Sequence, residues 1–252
     1  MASVVKPRSA QPLRTPSAPG EGPVYRRLAL FAGFVMRLIS REEWDDAHQL
    51  PQDGGVLVVS NHVTYVDAIA LGRYLIWNGR WPRYLGKSEL WKVPIVGWFA
   101  RKCHQIPVER GTARAKDSLA AARAALEDGR CIAIFPDGGR TKDPDLWPMR
   151  ARTGVARLAL ATGVPVIPTA HWGSHLIMPA RQFRIPKIWP KETIQVVMGD
   201  PVDLADLVGR DDAQAIREAA DRIMAAVVVL VEELRGEPAP ERLWDSRRDG
   251  NA

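Results

Sequence analysis

The chain has 252 residues, 46% of them apolar and 25% charged, a balance that fits an ordinary globular protein and excludes fibrous, collagenous and wholly disordered chains. Lysine and arginine outnumber aspartate and glutamate by 35 to 29, a net charge of +6. That suits an anionic partner without choosing among nucleic acid, an anionic membrane and phosphorylated metabolites.

Residues 1–22 are rich in Pro, Ser, Ala and Gly, so they are expected to form a disordered tail, and they lack the apolar centre of a secretory signal. Val24 to Ile39 reads as an amphipathic helix. Its apolar run, Leu28 to Met36, lies between Arg26-Arg27 and Arg37, far short of the ~20 residues that cross a bilayer. It suits a membrane surface instead. Short β-rich runs then alternate with helical patterns. Strands are predicted at Gly55 to Ser60, Tyr84 to Gly86, Gln105 to Glu109, Cys131 to Phe135, Val164 to Thr169 and Ile194 to Met198. Helices are predicted after Ser60 to about Trp77 and near 113–127, 152–161 and 212–234. The order is that of a single α/β domain over 23–236, with a mainly parallel or mixed central sheet flanked by helices and an N-terminal amphipathic segment. The all-apolar Val56 to Val59 implies a strand covered on both faces. Pro165 and Pro168 imply an edge or bulged strand. Residues 237–252 read as a flexible tail. Two cysteines, Cys103 and Cys131, cannot make a disulfide framework, and a reducing compartment is expected.

The chemistry is sought in Asn61-His62-Val63-Thr64-Tyr65-Val66-Asp67. A histidine five residues before an acid is a weak signal, and His48 with Asp53 and His104 with Glu109 repeat it. Geometry separates the three. Five helical steps turn two side chains roughly 140° apart, and five strand steps separate them by about 16 Å, so only a turn lets them meet. His62 follows an apolar strand and precedes a helix, whereas His104 and Glu109 straddle a strand and His48 and Asp53 flank Pro51 in a polar loop. In such a pair the carboxylate orients the imidazole, which can then take a proton from an alcohol. Gly173-Ser174-His175 lacks the pattern of a nucleophile elbow, so the nucleophile is expected to be a hydroxyl of the substrate.

Three further segments follow. Ile106 to Thr112 ends a strand with Glu109-Arg110, a solvated ion pair or an anion site built on the guanidinium fork. Phe135-Pro136-Asp137-Gly138-Gly139-Arg140-Thr141 follows another apolar strand. It reads as an ordinary turn or as an anion-binding loop in which glycines admit close backbone approach. Val164 to Thr169 by itself implies only structure.

In this order and spacing, the four segments resemble the glycerolipid acyltransferase family that includes the 1-acylglycerol-3-phosphate acyltransferases, over about Gly55 to Ala170. The resemblance implies transfer of an acyl group from acyl-CoA or acyl carrier protein to a glycerolipid hydroxyl, without metal or other cofactor. It implies His62 as general base and Asp67 as its partner. Arg110 would contact phosphate beside Glu109, Asp137, Gly138, Gly139 and Arg140 would form the acceptor loop, and Lys87 is a further anion contact. Asp137, Gly139 and Thr141 stand where the family usually has Glu, Thr and Ser, and His104 replaces a glycine.

Nine tryptophans, several beside basic residues (Trp77 and Trp81 around Arg80, Trp91 by Lys92, Trp98 before Arg101-Lys102), suggest peripheral attachment to the cytoplasmic face of a membrane. Core packing is the rival use for them. The acceptor expected is lysophosphatidate, with another lysophospholipid, a glycolipid or a non-catalytic lipid-binding module as alternatives. Nucleic acid is not expected, since no recognition motif accompanies the charge.

Overall fold

The computed structural model describes residues 22–44, 50–109, 115–180, 185–245 and 248–250. The chain opens with α1 (Pro23–Ile39) and β1 (Ser40–Trp44), and β2 (Val56–Ser60) leads to α2 (Asp67–Trp77). β3 (Pro82–Lys87) is followed by a short 3-10 turn (Ser88–Lys92) and α3 (Pro94–Lys102). β4 (Ile106–Val108), α4 (Ala115–Glu127), β5 (Cys131–Ile134) and α5 (Thr153–Thr162) come next. The last elements are β6 (Val166–Trp172), the one-turn α6 (Ser174–Ile177), β7 (Glu192–Met198) and α7 (Ala213–Arg235). The predicted tail through Glu21 lies outside the described residues, as do His48 and Arg110.

The strands form one mixed sheet in the order β1-β7-β6-β2-β5-β3-β4. β6, β2, β5, β3 and β4 run parallel, and β7 turns back antiparallel to β6 with β1 parallel beside it. Both faces are covered, which is why the central strands lack polar alternation. Leu57 and Val59 of β2 face a core with Leu126 of α4, Ala156 of α5 and Ile223 and Val227 of α7. Val56 and Val58 face Leu71, Tyr74 and Leu75 of α2. Burial of each such side chain contributes about 1.5–3 kcal/mol. α1 docks beside α2 and α3 through Tyr25, whose hydroxyl donates to the Pro82 carbonyl at 2.6 Å and whose ring meets Trp81 edge to face.

Two expectations give way, and one strand was not expected. β6 is an interior strand between β2 and β7 and not an edge. Its prolines are tolerated because Leu57 N–H donates to the Pro165 carbonyl, and by alternation Pro168 turns its nitrogen away from β2, one step outside the ladder with β7 that starts at Thr169. The segment after Gly236 does not leave the body at once. Ala239 and Leu243 pack on the core, and Arg150 N–H donates to the Trp244 carbonyl at 2.8 Å. The unpredicted strand β1, Ser-Arg-Glu-Glu-Trp, holds its place by a buried ion pair. Arg73 Nε and Nη2 of α2 donate to the Glu42 carboxylate at 2.8 and 2.5 Å.

A bidentate buried pair leaves a costly charge when one partner is removed. Arg73→Met is expected to lower stability by about 3–5 kcal/mol, and adding Glu42→Leu to regain most of it. Urea unfolding of the two variants checks this.

Candidate active site

β2 ends at Ser60 and α2 begins at Asp67, and the residues between them fold onto the Asp67 carboxylate. Its Oδ2 accepts the amides of Val63 and Thr64 at 2.5 and 2.6 Å, and its Oδ1 accepts the Thr64 hydroxyl at 2.9 Å. A negative group here also suits the positive end of the helix. The same Oδ2 lies 2.9 Å from His62 Nδ1. An ionised carboxylate only accepts, so the ring hydrogen sits on Nδ1 and Nε2 keeps its lone pair. The ring is held from its face by Phe135, stacked at 4.1 Å and 16°, and Phe135 is backed by Tyr84. Thr141 N–H donates to the His62 carbonyl at 2.7 Å, tying the loop after β5 to this turn. Asp67 is fully buried, while the His62 side chain keeps 16% of its surface exposed. The pair read from the sequence therefore meets through a turn, at the border between core and solvent.

The structure adds a residue that the sequence reading did not single out. His171, at the end of β6, is completely buried and brings Nε2 to 3.1 Å from Asp67 Oδ2, bent away from a linear hydrogen bond. Burial alone would raise the Asp67 carboxyl. The attraction of His171 and the contacts from both imidazoles outweigh it and hold Asp67 well below the usual carboxylate range. The one trace in the sequence is the appearance of polar residues, Thr169 and His171, on the face that Ile167 uses for the core.

The remaining candidates are gathered by topology. β6, β2, β5, β3 and β4 are parallel neighbours, so their C-terminal ends share one edge, the place where open α/β sheets bind ligands. His62 follows β2, and Asp137 to Arg140 follow β5 one strand away, about 5 Å. Lys87 ends β3 two spacings off, exposed, and in register with Val108 of β4, so Glu109 lies next to that row. Arg140 Nη1 donates to the Ala180 carbonyl at 3.0 Å, and its guanidinium lies 3.9 Å from the ring centre of Tyr65, three residues after His62. Gly138 has φ 79°, and a Cβ there would come within 3.0 Å of Arg152, so the loop needs glycine at this point. Its amide is committed to the Phe135 carbonyl at 3.0 Å. With Val63 and Thr64 spent on Asp67, none of these three amides is open to a developing oxyanion. His104, before β4, has φ 54°, a conformation that glycine adopts at little cost.

Asp137 is not an exposed acceptor. It is 2% exposed, and neither carboxylate oxygen reaches a hydrogen-bond partner among the described residues. Burial pushes its carboxyl well above the usual range, and the nearby amides of Gly139 and Met149 pull it back only in part. The basic and aromatic residues divide. Arg80 is spent inside the fold on the carbonyls of Pro51, Gly54 and Gly129, and Trp81 is core. Leu30, Phe31, Phe34 and Leu38 of α1 and Ile95 and Trp98 of α3 stay exposed. Among the described residues no helix is long and apolar enough to cross a membrane.

Residues 43–172 match the family model described as Acyltransferase. A 1-acyl-sn-glycerol-3-phosphate acyltransferase of Bacillus subtilis is 27% identical over 176 residues, 69% of this chain and 81% of that protein. The chloroplastic 1-acyl-sn-glycerol-3-phosphate acyltransferase BAT2 of Brassica napus is 30% identical over 128 residues, 50% of this chain but only 36% of its own length. Among solved structures, the 1-acyl-sn-glycerophosphate acyltransferase PlsC of Thermotoga maritima shares the fold with a TM-score of 0.64 at 24% identity, over 86% of this chain and 81% of that one.

The raised Asp137 carboxyl sets a pH dependence. From the unfolded carboxylate value upward to its own folded value, the native state keeps a proton that the unfolded chain has lost, so stability falls as pH rises through that window. Asp137→Asn removes the slope. Its Tm relative to the parent chain is expected to be higher at about pH 7.5 than at about pH 4.5, measured by thermal melts at both.

Proposed function

Because this chain belongs to the acyltransferase family, we propose that it moves a fatty acyl group from acyl-CoA or acyl carrier protein to the free hydroxyl of lysophosphatidate, giving phosphatidate. The observation that carries the reading is the 2.9 Å contact between His62 Nδ1 and a buried Asp67, which leaves Nε2 as the base at a partly open edge of the sheet. The names of the relatives from Bacillus subtilis and Brassica napus support the acceptor.

In the proposed reaction the acceptor oxygen attacks the thioester carbonyl as His62 Nε2 takes its proton. A carbon–oxygen bond forms and the carbonyl oxygen becomes an oxyanion. The oxyanion collapses, the carbon–sulfur bond breaks, and the thiolate leaves with the proton returned by His62. The thiolate is a good leaving group, so proton transfer and positioning are the work left to the protein. Arg140, one strand from His62, suits the acceptor phosphate, with Lys87 further along the same edge. Asp137, buried and raised, serves the loop's shape and not as a charged contact.

The chain attaches peripherally to the cytoplasmic face of an anionic membrane in this reading. The open apolar face of α1, with Phe31 and Phe34 between Arg26-Arg27 and Arg37, and the exposed Ile95 and Trp98 of α3 beside Arg101 and Lys102 support it.

His62→Ala is expected to lower acyl transfer by about 10²–10⁴-fold with its melting temperature kept. A mass-spectrometric assay with a panel of lysolipids checks this: an unaltered rate would remove His62 as the base, and no turnover by the parent chain would leave a lipid-binding module as the reading. The same panel identifies the acceptor: preference for a lysolipid other than lysophosphatidate would replace it. Phe31→Ser with Phe34→Ser is expected to weaken sedimentation with anionic vesicles at low salt while turnover of a water-soluble short-chain acceptor stays unchanged.

A further inference from the structure

We propose that His171 is a positioning residue for the acyl-transfer base: as the second imidazole on the Asp67 carboxylate, it sets how tightly that carboxylate grips His62. The inference rests on the reading of His62 as base.

The geometry ties His171 to the turn at four points. Its Nδ1 lies 3.1 Å from Ser60 Oγ, and its Nε2 lies 3.1 Å from Asp67 Oδ2. Its backbone is clamped by one side chain, with Asn61 Nδ2 donating to the His171 carbonyl at 2.9 Å and His171 N–H donating to Asn61 Oδ1 at 3.0 Å. An apolar residue would fill this inward position of β6 at less cost, as Ile167 does on the same face, because a fully buried imidazole requires partners for both nitrogens. Here the second nitrogen makes no linear hydrogen bond and instead lies 3.1 Å from the carboxylate oxygen that His62 also uses.

The Ser60 hydroxyl can donate to Nδ1, which places the ring hydrogen of His171 on Nε2, facing Asp67. Each N–H dipole held close to Oδ2 offsets charge that would otherwise hold the His62 imidazolium. With His171 in place, Oδ2 faces two imidazoles at once. Without it, the charge of the carboxylate falls on the His62 ring alone, which favours an imidazolium in the variant. The ionisable groups that meet His171 or its partner directly are Asp67 and His62. Tyr84 of β3, Asp137 after β5 and His175 of α6 interact with Asp67 through space, and Arg235 of α7 acts on His175.

The test is the pH profile of kcat/KM for the full chain, with acyl-CoA and lysophosphatidate, for His171→Phe, His171→Gln and Ser60→Ala, each with a thermal melt. Phe removes both nitrogens, while the Gln amide can restore a donor near the position of Nε2. His171→Phe is expected to move the acid limb to higher pH and to lower the plateau roughly ten- to a hundredfold, the loss typical when an outer partner of a functional imidazole is removed. His171→Gln is expected to return the limb and most of the plateau, and Ser60→Ala to shift the limb less, in the same direction as Phe. A folded His171→Phe protein with the parent limb would overturn the proposal, as would equal shifts in the Phe and Gln variants, since a restored donor would then have no effect. If His171→Phe does not fold, Ser60→Ala decides, and an unmoved acid limb there overturns it. An active His62→Ala protein overturns the base reading itself. An inactive His62→Ala with unmoved His171 and Ser60 profiles sinks only the role of His171.

Discussion

A carboxylate with no exposed surface closes the turn between β2 and α2, and most of the site depends on it. Asp67 takes two backbone amides, one hydroxyl and the imidazole of His62, with a second imidazole alongside. Burial of an ion is costly unless its lone pairs are met, and five contacts within one short segment and one neighbouring strand meet them. The same contacts fix the ring of His62, so folding the turn and orienting the base are one event.

Around that turn the parallel sheet supplies the rest. Five strands pointing the same way deliver their following loops to one edge, so residues as distant in sequence as His62, Lys87, Arg140 and His171 become neighbours or near-neighbours. Cross-links hold the loops in place. Thr141 N–H meets the His62 carbonyl, Asn61 clamps the His171 backbone, and Phe135 stacks on the His62 ring. α7 is closed by Asp212, which accepts from the Ala215 amide at 2.9 Å, and by Gly236 in the left-handed conformation.

Legibility followed how local the cause was. Val56 to Val59 announced a strand covered on both faces, because an all-apolar run has no other soluble use. The glycine at 138 announced a turn, and its φ of 79° is the reason. His62 and Asp67 were legible because five residues between an apolar strand and a helix leave room for a turn and little else. β1 was hidden because Glu42, which would expose a loop elsewhere, is neutralised by Arg73 thirty-one residues later. Pro168 misled for a related reason: its missing N–H is harmless only because the neighbouring ladder starts one residue on. Arg80, read beside two tryptophans as a membrane contact, is consumed by three carbonyls from separate loops.

By itself the sequence determined the α/β class, the alternation of elements, the turn that carries the histidine and its acid, and the likeness to acyltransferases, since each rests on spacing within a few residues or on ordered motifs. Only the tertiary structure decided that Asp137 is buried with its carboxyl pushed up by that burial, that Arg140 lies against Tyr65, and that His171 reaches the carboxylate of Asp67 across 104 positions of chain. Those outcomes depend on strand order and on which side chains lose their water. Neither is encoded in any one segment: strand order is settled by pairing across the whole sheet, and desolvation by the layers packed on it.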